Sequence, residues 1–114
     1  MEADIQALQQ QMKKVEQIFV RYGAEPQDIN RHNREVLGLR QEYLYRGNYY
    51  RVDHAAFDGI PYLIINQIDN PRYAAAGVME DVEAIPITLT DEQREKEVRY
   101  ALGIEPYPED YPQW

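Results

Sequence analysis

With 114 residues, 44% of them hydrophobic and 28% charged, the chain is the size of one domain with a modest core, and it contains neither serine nor cysteine. Those two absences exclude serine hydrolase triads, cysteine nucleophiles, thiolate metal sites and disulfides. The net charge of −8 is unevenly spread, with ten acids against nine bases in residues 1–79 and ten against three in residues 80–114, so the C-terminal field repels phosphate backbones and anionic lipid.

The partner this charge favours is a protein with a neutral or basic surface, and neither nucleic acid nor membrane is expected. Arg31, Arg34, Arg40, Arg46 and Arg51 form a loose positive stretch among aromatics. Solvated arginines that neutralise the protein's own acids explain it more simply than a nucleic-acid footprint. A mean hydropathy of −0.70 and the lack of a charged start followed by an apolar segment lead to the expectation of a soluble, cytoplasmic protein.

Taken in chain order, the first element is an amphipathic helix. Ile5, Leu8, Met12, Val15, Phe19 and Tyr22 recur at alternating spacings of three and four, and Gly23 with Pro26 stops the run. The same residues make a short heptad seam, but a stripe widened by Ile18 and Val20 is better suited to lying on the protein's own sheet than to a parallel coiled coil. A short second helix is expected after Asp28 as its cap, with Ile29, Val36 and Leu37 on one side and His32 beside them.

The stretch EYLYRGNYYRVD, residues 42–53, predicts a hairpin about Gly47-Asn48 in which Tyr45 faces Tyr50 and Tyr43 faces Val52. That register gives an aromatic inner face and an outer face carrying Leu44, Tyr49 and Arg51, with Glu42 opposed to Asp53. Asp58-Gly59 predicts a second hairpin, joining a strand that ends at Phe57 to one over 60–68. Tyr62 and Ile64 fall on one side of that strand and Leu63 and Ile65 on the other, which calls for cover on both faces.

Residues 70–85 fit both a helix and a fourth strand, and the reading leans to strand because the preceding one needs a second neighbour. Thr90 with Gln93 reads as a capping box, and Gly103 closes a helix whose apolar side is Val98, Ala101 and Leu102. The expected fold is therefore α+β: an N-terminal amphipathic helix, an antiparallel sheet of three or four strands built from hairpins, and a C-terminal helix. Residues 1–104 form one domain in this reading, and 105–114 an extended acidic tail rich in Pro and Tyr that either plants Trp114 in a groove or frays.

Chemistry is sparsely represented. His32 and His54 are the only near-neutral bases, neither has a partner at metal-ligand spacing, and the glycines are isolated turn or cap residues rather than a phosphate loop. No metal and no cofactor is expected. The leading functional expectation is a small non-catalytic interaction or regulatory protein that offers Glu80, Asp81, Glu83, Tyr49 and Trp114 to its partner and forms a homodimer. The alternative is a small-ligand-binding or hydrolytic enzyme with a pocket lined by Tyr43, Tyr45, Tyr50 and His54.

Overall fold

A computed structural model describes residues 2–38 and 40–110. Helix α1 (Glu2–Arg21) is followed by strand β1 (Glu25–Gln27), helix α2 (Arg31–Leu37), strands β2 (Glu42–Tyr45), β3 (Asn48–Phe57) and β4 (Ile60–Ile68), helix α3 (Pro71–Ala75), strand β5 (Glu80–Pro86) and helix α4 (Asp91–Leu102). The fold is α+β, with one antiparallel sheet in the order β1-β2-β3-β4-β5. Among the described residues it has five strands where the sequence predicts three or four. The added one is β1, three residues long and paired to β2 with Pro26 opposite Tyr43.

Alternation along the strands divides the sheet into two faces. On the inner face Tyr43, Tyr45, Tyr50, Val52, Leu63, Ile65 and Ile85 are buried. They pack against Leu8, Met12, Val15, Ile18 and Phe19 of α1 and Val98, Ala101 and Leu102 of α4. The stripe of α1 thus lies on its own sheet, with Ile18 buried, whereas Val20 and Ile5 are about half exposed (51% and 54%). Helix α4 starts as its sequence predicts: Gln93 N donates to Thr90 Oγ1 at 3.1 Å, and Thr90 N donates to Gln93 Oε1 at 2.9 Å.

The first hairpin turns two positions' worth of register away from expectation. Its loop is Arg46-Gly47, both at positive φ (51° and 82°), so Tyr43 faces Tyr50, Tyr45 faces Asn48, and Glu42 does not oppose Asp53. Two consecutive residues at positive φ make the primed turn that matches strand twist, and here an arginine accepts the first of these positions. A shift of two keeps every side chain on its predicted face. The second hairpin turns at Asp58-Gly59 with Phe57 opposite Ile60 and Val52 opposite Ile65, as predicted.

Residues 70–86 divide into both readings. Asn70 caps the five-residue α3 by accepting from Arg72 N at 2.9 Å, and β5 then pairs with β4 through a register shift between Ile65 and Asn66. Helix α2 has Asn30, not Asp28, at its N-cap position, with the Asn30 side chain turned to Glu42 and making no cap bond, and it ends at Gly38 in the left-handed region at φ 70°. His32 and Val36 are exposed. Residues 111–114, with Trp114, lie outside the described residues.

Candidate functional site

The inner-face tyrosines are core. Phe19 of α1 meets the Tyr43 ring edge-on at 5.5 Å and the Tyr50 ring at 6.0 Å. The Tyr50 hydroxyl accepts from Gln67 Nε2 at 2.7 Å, and burial raises its pKa. Burial pushes the Tyr43 hydroxyl up to about 12, helped by the negative charge of Glu16 and opposed by Arg40. Arg40 in turn pairs with Glu16. Because these rings pack against Phe19, they do not combine with His54 into the pocket the sequence suggests. His54 is exposed and lines a small cleft of about 210 Å³ between α1 and β3, with Leu8, Met12 and Arg40 among its neighbours.

The three predicted acids also separate. Glu80 and Asp81 are exposed on β5, but Glu83 is only 6% exposed because it stands opposite Ile65 on the inner face. Its Oε2 accepts from the Tyr107 hydroxyl at 2.7 Å, and the Tyr107 ring lies 5.1 Å from that of Tyr100. Desolvation raises the Tyr107 pKa most, followed by the hydrogen bond to Glu83 and the charge of Glu83. An isolated carboxylate on the core side of a sheet is costly, and the hydroxyl supplies a donor that the strand itself lacks. Glu83 is therefore an anchor for the start of the tail, and Glu80 and Asp81 are the surface acids of this trio.

On the outer face, the short helices cover one end of the sheet with polar contacts. Glu42, fully buried, accepts from Asn30 Nδ2 at 2.8 Å and from Arg34 Nη1 at 3.0 Å, while Arg34 Nη2 reaches Asp28 at 2.9 Å. Arg51 donates to Asp53 at 2.9 Å and to the Gly77 carbonyl at 3.2 Å, and Asn66 also donates to Asp53. Arg31, Arg34, Arg40 and Arg51 all meet acids of this same chain. Tyr49, opposite Leu44 and Ile68, is half-buried on this face.

The other end of the outer face is apolar and open. Phe57 and Ile60 are each 53% exposed, and the Tyr62 ring meets that of Phe57 at 5.4 Å, inclined at 60°. The sequence signals this region only as a need for cover on both sides of β4. It does not say which end α2 and α3 reach. A second, more open cleft of about 500 Å³ runs between α1 and the start of α4, where Lys14 pairs with Asp91 at 3.2 Å and Arg21 with Glu95 at 2.5 Å.

Among the described residues, no group of three or more histidine or acidic side chains is arranged to hold a metal ion, and no helix is long and apolar enough to cross a membrane. The chain matches no protein-family model, no curated protein and no solved structure.

Proposed function

We propose that this chain is a small acidic, non-catalytic interaction or regulatory protein of the cytoplasm. It docks face-on against a neutral or basic protein and pairs with itself as a homodimer. The observation that carries the reading is the apolar end of the outer sheet face, where Phe57 and Ile60 are half exposed beside Tyr62 and, among the described residues, no helix covers them. Large side chains held half out of a hairpin have the character of an interface, since burying them against a second surface recovers hydrophobic free energy. A two-fold arrangement that places one hairpin on its copy is the simplest closed solution.

Charge supports the choice of partner. Glu80, Asp81, Glu92, Glu109 and Asp110 are exposed in the C-terminal third, so encounter with a basic protein is favoured and a phosphate backbone is disfavoured. Sedimentation at micromolar concentration is expected to give twice the 13.5 kDa chain mass, and Ile60→Asp is expected to give the single chain. A wild-type monomer would overturn the homodimer. For the hetero-partner, the Glu80→Gln, Asp81→Asn variant should associate more slowly and lose most of its salt dependence; an on-rate indifferent to both salt and these changes would overturn the electrostatic reading.

A further inference from the structure

We infer that the open strip of the outer sheet face takes an amphipathic helix from a basic partner, laid along the strands with apolar residues at its centre and a base toward each end. The inference rests on the interaction reading above and specifies the partner. Register fixes the layout. Ala55 with Tyr62 and Pro86, and Phe57 with Ile60, form the apolar centre, and Ile64 with Ala84 continues it. Taking Tyr62 as the middle, Asp58 lies four positions before it at the hairpin tip, and Asn66, which faces Asp81 on β5, lies four after. At the rise of a strand, each carboxylate stands about 10–13 Å from the middle.

Charge selects the occupant. Asp58 and Asp81 are exposed, and among the described residues neither is engaged in an ion pair. The outward positions of the described strands carry one base, Arg51, which is buried and held to Asp53 and the Gly77 carbonyl. The strip thus has an apolar middle with a negative charge beyond each end. A second copy brings the same sign to the same face: when two face-packed sheets align their strands, acid stands over acid, which makes the copy the poorer occupant. A cationic segment meets complementary charge at both ends. Length is bounded too. The Arg51 bond to Gly77 places the connection from α3 to β5 across the row of Asn66, closing the strip there, and the tip ends it at the other side. That leaves about 20–26 Å, or about four turns of helix. A helix also satisfies its own backbone, whereas an extended segment laid on a sheet face leaves its N–H and C=O groups unpaired. The inner face of this sheet is filled in the same way, by α1 and α4.

The probe is a synthetic helical peptide with leucines on one face and lysines elsewhere, set against a counterpart carrying glutamate in place of lysine. Each is titrated into the whole chain and followed by NMR at the Phe57 and Tyr62 rings and the Ile60 methyls. The lysine peptide is expected to shift these signals saturably and to bind about tenfold less tightly when salt rises from about 0.1 M to about 1 M, while the glutamate peptide does not bind. Asp58→Asn with Asp81→Asn is expected to weaken the lysine peptide about fivefold, and Glu92→Gln with Glu109→Gln, exposed acids away from the strip, by less than about twofold. Asparagine tolerates the positive φ of the tip, so the first variant keeps the hairpin. Equal binding of the two peptides, equal effects of the two double variants, or saturable binding that leaves the Phe57, Ile60 and Tyr62 signals unmoved would each overturn the assignment. A wild-type chain that sediments as a monomer and binds the lysine peptide in this way would overturn the homodimer alone and uphold the helix site.

Discussion

Replacing Tyr50 by alanine should remove the centre of the core, and the structure gives the size of the effect. The ring is 1% exposed and contacts Phe19 at 6.0 Å, and its hydroxyl accepts from Gln67 at 2.7 Å. Deleting a buried aromatic ring costs about 3–5 kcal/mol, within which the ring pair contributes about 0.5–1.5 and the hydroxyl about 1. Total stability for a domain of this size is about 5–15 kcal/mol, so Tyr50→Ala should forfeit from about a fifth of it to nearly all of it. Tyr50→Phe isolates the hydroxyl and should cost about 1 kcal/mol, or about 4 °C in Tm. Tyr49→Ala, one position along and on the other face, should cost about 1 kcal/mol or less. Urea melts with a constant m-value read all three. If Tyr49→Ala proved as damaging as Tyr50→Ala, or Tyr50→Phe as damaging as the alanine, the assignment of the two faces would be refuted.

Alkaline stability should report Tyr43. Its hydroxyl is held up to about 12 against an ordinary value of about 10, so the unfolded chain loses this proton first, and its contribution is complete below about pH 10 and drains away up to about 12. Tyr43→Phe should flatten the fall of stability with pH across that window, and an unchanged slope would contradict it. At the opposite face, Glu42→Ala should cost about 1–3 kcal/mol because buried Asn30 and Arg34 each lose an acceptor, Arg34 keeping Asp28 and the Gln27 carbonyl, whereas the paired change Glu42→Leu, Arg34→Met should recover part of the loss in a double-mutant cycle.

What the sequence discloses is best seen at the two hairpins. Asp58-Gly59 supplies both positive-φ residues from types that favour them, so turn and register are readable together. At the first hairpin Arg46 occupies a positive-φ position that composition does not advertise, so the reading settles on Gly47-Asn48. The faces are nonetheless right, because a slip of two leaves alternation intact. Strand β1 is too short to show any period, and β5 is masked by the register shift beside Asn66 and by a helix of one turn just before it. The burial of Glu83 is invisible for another reason: its partner, Tyr107, is 24 residues away in a proline-rich segment whose composition reads as extended. Long-range contacts of polar groups leave no local pattern.

The two ends of the sheet bear on how this protein can meet others. At one border stands β1, only three residues long and interrupted by Pro26, which has no backbone N–H to offer; at the other stands β5, irregular in register and lined with Glu80 and Asp81. Short length, proline, a bulge and charge are the devices that stop a stray strand from zipping onto a ladder. A chain built this way is protected against growing into fibrils by strand addition. It is also closed to peptide ligands that bind by extending a sheet, so any lasting contact it makes through the sheet has to be made by side chains across a face.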